Sequence, residues 1–446
     1  MTTTLPFAAR MLFASTLTFL AACSAPASPP PVAATASATA QVTAADATRA
    51  SSTGARSASS TGANAPPTVP LDGPVDVDRV LAHLKVLSVD IGSRPAGSEP
   101  ERRAAQYIAD VLKAQGYTTT IETFTYPARF DDSSVTIGSE TPFKGALIDG
   151  AATGKVTATL VDGGTGLPEQ VAAARVQGNI VLMRRGGLPF AQKIANAQDA
   201  GALAVIIVNN EAGPFHGTLG QQRASIPAIA IDGARADRLR AALGQSVTVE
   251  AAGGTRTVTS QNVVGQRGST CRAYIGAHYD SVAEGPGAND NASGTASMLE
   301  MARVRGTDGL CALAFGSEET GLHGSQAFVA AHLAGTAQFM LNFDMMGRID
   351  DAIIVGDGGL TQSILGIIGR GSDQPLRAGT FPPFASSDHV SFASVGLPAV
   401  TITSGNDPAI HTARDTYEAV RPADLKTMLT LGDAALAGML KTLGRR

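Results

Sequence analysis

At 446 residues, with 44% hydrophobic residues and a formal net charge of −4, the chain is long enough for two or three domains and a large core. Lys and Arg number 34 against 38 Asp and Glu, with no basic stripe, which excludes an electrostatically driven nucleic-acid binder. Forty-nine glycines and no tryptophan fit a loop-rich α/β protein better than a helical bundle.

Arg10 precedes an apolar run, Met11 to Ala22, too short to span a bilayer as an ordinary transmembrane helix and patterned as a secretory signal peptide. The run ends in Leu20-Ala21-Ala22-Cys23, which resembles the bacterial lipobox. That resemblance implies cleavage before Cys23 and acylation of its thiol and new amino terminus, and several acyl chains anchor far more firmly than one. Ser24 after the cysteine, rather than Asp, implies the outer membrane by the Gram-negative sorting rule, facing the periplasm or the cell surface. Plain secretion is the alternative. From Ser24 to about Gly73 the chain is almost all Ala, Ser, Thr and Pro, too poor in apolar bulk to fold, and is expected to be a tether.

Val80, Leu81, Leu84 and Leu87, then Ala104, Ala105, Ile108, Val111 and Leu112, recur at helical spacing on either side of Gly92-Ser93-Arg94-Pro95, which predicts two helices and a loop. Thr118 to Tyr126 is rich in β-branched residues and predicts a strand. Between 132 and 254 the character changes: short apolar strands at Asn179–Met183, Ala202–Val208 and Ile226–Ile231, a helix from Phe190 to Gly201, and His216 as the sole His. The run Gly178-Asn-Ile-Val-Leu-Met-Arg-Arg-Gly-Gly, with Phe190, Lys193, Asn196-Ala197 and Ala200-Gly201-Ala202, resembles a protease-associated (PA) domain, which implies access or substrate handling and no chemistry.

From Asn262 onward strands and helices alternate. Strands are expected at 273–277, 310–315, 338–343, 352–356 and 397–403, with helices at 292–305, from Ser325, and from Pro422. Such alternation implies a mostly parallel sheet covered on both faces. Only Cys271 and Cys311 remain as thiols, each seven residues before a polar strand end, at His278 and Glu318. If the two strands are neighbours in register the thiols are level, and export permits a bridge; two buried free thiols are the alternative.

The polar groups collect at the strand exits: His278 and Asp280, Asp290, Glu318 and Glu319, Asp344, and His411. In open α/β sheets ligands bind just beyond the carboxyl ends of strands, and His with carboxylates from several loops is a ligand set that zinc accepts. Asp344, set in Asn342-Phe-Asp-Met-Met-Gly347, is an acid in an apolar segment and must be paired or metal-bound. Asp280 lies two residues from His278, so in an extended segment both side chains project to the same side.

At these residues the sequence resembles the M28 zinc peptidases, which include bacterial leucyl aminopeptidases. The motifs are Ala277-His-Tyr-Asp-Ser281, Gly287-Ala-Asn-Asp-Asn-Ala-Ser-Gly294, Phe315-Gly-Ser-Glu-Glu319, Asn342-Phe-Asp-Met345 with Gly347, Ser387-Asp-His389 with Phe392, and His411-Thr412 with Asp415. The resemblance implies a mixed, mostly parallel α/β sheet flanked by helices, the zinc exopeptidase (phosphorylase/hydrolase-like) fold, over 74–131 and 255–446 with a β-rich PA insert over 132–254. It implies two Zn2+ ions: His278 and Asp344 on one, Glu319 and His411 on the other, Asp290 bridging. Glu318 is then the general base and Asp280 the acid that orients His278, and the expected activity is removal of the amino-terminal residue of a peptide.

Two positions depart from the pattern. Ile410 stands where many bacterial relatives carry a Tyr that helps to stabilise the oxyanion, and Ser386 stands where some carry Arg. The rival readings are a carboxypeptidase of the same superfamily, with Arg348 or Arg377 receiving the substrate carboxylate, a one-zinc glutaminyl cyclase, and a non-catalytic surface lipoprotein binding partners through the PA domain. His83, His323, His332 and Met346 are expected to pack rather than ligate, as is Met345, and Asp388-His389 to support the pocket.

Overall fold

The computed structural model describes residues 73–332, 337–369, 375–383 and 385–443. The signal segment, Cys23 and the tether up to residue 72 lie outside them. Helix α1 (Val77–Lys85) starts at Asp76, whose side chain accepts from Asp78 N, and runs on through a π-helical turn to Gly92. Helix α2 (Glu99–Ala114) starts at Ser98, which accepts from Glu101 N, and buries the expected face of Ala104, Ala105, Ile108, Val111 and Leu112.

The main sheet has eight strands: β1 (Thr118–Asp131), β2 (Gly253–Gln266), β3 (Ala273–His278), β4 (Leu310–Phe315), β5 (Met340–Phe343), β6 (Ile353–Gly356), β7 (Arg377–Ala378) and β8 (Ala399–Thr403). Their order is β1-β2-β4-β3-β5-β8-β6-β7. The four central strands β4, β3, β5 and β8 are mutually parallel, while β1, β2 and β6 pair antiparallel to their inner neighbours, so the sheet is mixed with a parallel heart. Every residue of β3 and β4 is buried, as parallel strands covered on both faces require. Helices α3 (Gly294–Arg305), α4 (His323–His332), α5 (Gly358–Ile368), α6 (His389–Ala393) and α7 (Pro422–Leu443) connect or follow them. Because β3 has β4 on one side and β5 on the other, the chain reverses direction across the sheet at β3, and a crevice opens at its carboxyl end.

Two sequence expectations need correcting. Strand β1 does not stop at Tyr126: it pairs with β2 from Thr118↔Gln266 to Asp131↔Gly253, and the outer half of this ribbon is largely solvent-exposed and so lacks the apolar alternation that marks a strand. The thiols are not level in the ladder either, since His278 pairs with Phe315 and Tyr274 with Cys311, a three-residue offset from the expected register. Cys271 and Cys311 are bridged nevertheless, at a Cα–Cα separation of 5.6 Å, because Cys271 lies in the connection before β3 and not in the strand.

A second eight-stranded sheet is built wholly from strands between Ser134 and Ala251. Its parallel heart is Ile180–Arg184, Ala204–Val208 and Ala228–Ile231, with helix Phe190–Asp199 packed on it, and it keeps hydrophobic clusters of its own on both faces. The strands Gly154–Asp162 and Ser246–Ala251 were missed in the sequence; Ser246–Ala251 buries every second residue, whereas Gly154–Asp162 buries Leu160 alone. Replacing Cys271 and Cys311 by Ser is expected to cost roughly 2–4 kcal/mol of stability, read as a lower urea midpoint that reductant no longer changes.

Candidate metal centre

The predicted site residues converge at the carboxyl ends of the central strands. His278 is the last residue of β3, Asp344 follows β5, and Glu318 and Glu319 follow β4. Asp290 sits in the turn Ala288–Ser293 that leads into α3, and His411 in the loop after β8. His278 Nε2 stands 3.2 Å from Asp290 Oδ1 and 3.5 Å from Asp344 Oδ1. His411 Nε2 stands 3.2 Å from Asp290 Oδ2 and 3.0 Å from Glu319 Oε2. Two three-donor clusters therefore share Asp290, one oxygen each, and three protein donors leave room for a further ligand. Glu318 belongs to neither, its Oε2 lying 4.0 Å from His278 Nε2.

The local backbone is bent to allow this. Ser317, Leu322, Met345 and His411 all adopt left-handed φ values between 56° and 60°, a conformation that non-glycine residues keep only when their surroundings enforce it. Gly287 is also left-handed, and a Cβ there would come within 2.5 Å of Asp290 O; at Gly285 one would meet Thr412 O at 2.2 Å.

A shell of hydrogen bonds enforces the arrangement. Asp280 lies 3.5 Å from His278 Nδ1, but its firmer bonds go to the backbone, with Glu318 N donating to Oδ1 at 3.1 Å and Glu319 N to Oδ2 at 3.3 Å. The asparagines beside Asp290 hold the β5 exit: Asn291 accepts from Met345 N and donates to Phe343 O, and Asn289 accepts from Gly347 N. Ser387 donates to Asp344 Oδ2 at 2.6 Å. The fully buried Arg94 donates to the carbonyls of Leu87, Gly92, Tyr279, Pro286 and Gly287, tying the predicted 92–95 loop to the loop between His278 and Asp290. Of these residues only Asp280 has a role assigned from the sequence; Asn289, Asn291 and Ser387 are marked there only by their place inside the motifs, and Arg94 only as part of a loop between helices.

The remaining candidates fall elsewhere. His83 bonds Tyr107, His323 stacks on Tyr126, and His332 pairs with Glu122. His389 bonds Thr401, and Asp388 is buried beside the site without joining either cluster. Met346 is core, as expected, whereas Met345 lines the cleft.

Electrostatically the site demands positive charge. Burial pushes Glu318 well above the ordinary carboxylate range, reinforced by Asp388, Asp344 and Asp290 against His278. Burial likewise lifts Glu319 to about 6. Burial disfavours a charged His278, yet Glu318, Asp344 and its other acidic neighbours hold it well above its usual value. Hydrogen bonds to Asp290 and Glu319 raise His411 to about 10. Buried Glu319 Oε1 and His278 Nδ1 have no hydrogen-bond partner among the described residues. Protons on the imidazoles thus do the work that a divalent cation would do, and the mixed N/O donor set suits zinc.

The clusters form the floor of a cavity of ≈ 810 Å3. Asp290, Glu318, Glu319, Asp344, Asp350, Asp351 and Asp407 line it, and among the described lining residues there is no Lys or Arg. Arg348 and Arg377, the candidate receptors for a substrate carboxylate, are paired with Asp407 and Asp351. Leu322, Met345, Ile353, Phe381, Pro382 and Ile410 make an apolar wall.

An α/β sheet with paired His/carboxylate clusters at its topological switch point, carrying a separate β-rich insert, is the architecture of a metallopeptidase scaffold. Family models agree: residues 262–435 match peptidase family M28, and residues 156–239 match the PA domain. The structure of an aminopeptidase from Aneurinibacillus sp. strain AM-1 is similar with 31% identity and a TM-score of 0.54, over 81% of this chain and 93% of that one. BSAP, a zinc aminopeptidase from Bacillus subtilis, gives 27% identity and a TM-score of 0.59 over 81% and 95%. A Mycobacterium tuberculosis protein named "Probable lipoprotein aminopeptidase LpqL" is 33% identical over 319 residues, 65% of this chain and 63% of that protein. The chain belongs to peptidase family M28.

One pH dependence follows from the imidazoles. His411 has a folded value of about 10 against an ordinary 6.5, so its contribution to stability is complete below pH 6.5 and is lost as the pH rises to about 10. Chelator-treated protein should therefore show a melting temperature that falls across that window, whereas a rise would mean that the His411 imidazole is uncharged.

Proposed function

We propose that the chain is an exported, lipid-anchored aminopeptidase holding two zinc ions, His278 and Asp344 on one, Glu319 and His411 on the other, with Asp290 shared. The catalytic domain comprises 74–131 and 255–446, the PA domain 132–254, and Cys23 carries the lipid. The observation that carries the reading is the pair of His/carboxylate clusters sharing Asp290 beneath a cleft whose charge balance leaves no Lys or Arg among its described lining to receive a substrate carboxylate. The same balance, with Arg348 and Arg377 already paired, disfavours a carboxypeptidase. Support also comes from the relatives' names, for activity, for zinc and for a lipoprotein.

Bound zinc supplies Lewis acidity that activates water and polarises the scissile carbonyl. Glu318, with its side chain 11% exposed, takes the water's proton and returns it to the departing amine. In the metal-free site burial raises the proton affinity of Glu318, which beside bound cations returns toward the ionised form that a base needs. Asp280 keeps Glu318 and Glu319 side by side through their amides, so that one faces the substrate while the other faces His411. Ile410 offers no hydroxyl at its place in the cleft, which leaves the oxyanion without that donor. The apolar wall suits an uncharged, apolar amino-terminal side chain.

Mass spectrometry of a mixed-sequence peptide should show stepwise loss from the amino end, none from an N-acetylated copy, and a kcat about 10²–10⁴-fold lower in Glu318→Gln with zinc content retained. Loss from the carboxyl end would overturn the assignment.

A further inference from the structure

Asp290 serves both clusters, so an error in its position is felt at both. The turn that carries it lacks a regular helical ladder: Asp290 and Asn291 have non-helical φ/ψ, and the amides of Ala288, Asn289 and Asp290 need partners from elsewhere. Asp415 supplies them. Its Oδ1 accepts from Asn289 N at 2.7 Å, its Oδ2 from Asp290 N at 3.0 Å, and its main-chain oxygen from Ala288 N at 3.2 Å. Asp415 is 2% exposed and lies four residues after His411, on a loop whose turns are closed by Thr412 N to Ala409 O and Asp415 N to Thr412 O, both at 3.1 Å. The close approach of Gly285 to Thr412 lets the two loops meet backbone to backbone.

We propose that Asp415 is a positioning residue that locks the shared carboxylate of Asp290 to the His411 loop and thereby sets the metal affinity of both clusters. It contributes no donor atom to either cluster. The device matches that of Asp280, which receives the consecutive amides of Glu318 and Glu319. A carboxylate is required because it alone offers two charged acceptors to two adjacent buried N–H groups; an Asn would turn an N–H against one of them.

The inference rests on the metal-binding reading, and one titration separates the two. Chelator-stripped full-length chain is titrated with Zn2+ against a competing chromophoric chelator. Wild-type protein is expected to take up two equivalents; a folded wild type that takes up none defeats the metal-binding reading itself. In Asp415→Asn both dissociation constants are expected to rise about 10–100-fold. Asp433→Asn, which removes another buried carboxylate, bonded to Arg305 outside the cleft, is expected to lower the melting temperature and leave both constants unchanged. A folded Asp415→Asn with wild-type constants would overturn the proposal. Should that variant not fold, Asp415→Glu keeps the charge but lengthens the arm, and the same titration decides: weakened constants support the proposal and wild-type constants overturn it.

Discussion

Everything around the cleft is arranged so that one carboxylate can face two imidazoles at once. Asp290 lies 3.2 Å from His278 on one side and 3.2 Å from His411 on the other, and those partners arrive from a strand end and a loop far apart in sequence. No local preference could hold such a group in place. Burial among like charges drives it out, and what retains it is hydrogen bonding, with the amides of Asn289 and Asp290 capped by the Asp415 side chain from the loop after β8. Arg94 takes the carbonyls of the Asp290 loop and Asp415 takes its amides, so the loop is held by opposite charges acting on opposite ends of its peptide dipoles.

That division explains what could be read from the sequence. His278, Glu318, Glu319 and Asp344 were legible because zinc-compatible side chains just after apolar strands are an unusual pairing of chemistry and place, while Asp290 and His411 lie further along their loops and were marked by the motifs that resemble the M28 peptidases. Asn289, Asn291, Ser387 and Asp415 were not, although they lie within the same motifs, because Asn, Ser and Asp are also the ordinary residues of turns. Their partners are backbone groups remote in the chain, and a backbone amide leaves no mark in a sequence. Arg94 was visible only as part of a loop between helices, where an Arg is by default a solvated residue.

The elements follow the same logic. The buried strands β3 and β4 announce themselves as apolar runs, and the helices by their periodicity. The outer half of the β1–β2 ribbon has no core beneath it and so no pattern. The disulfide was one of two readings and was reached through an incorrect register; it forms because Cys271 sits in a connection free to approach Cys311 rather than in a ladder that would have fixed it out of reach.

The ribbon also determines what kind of object the PA insert is. Asp131 and Gly253 face each other across the ladder where the strands leave the main sheet's territory, and antiparallel partners lie about 5 Å apart. A two-residue turn bridges that gap. With its own sheet and its own core on either face, the insert is therefore a module grafted at the tip of a hairpin, and its gain or loss over evolutionary time requires no rearrangement of the strands that carry the chemistry.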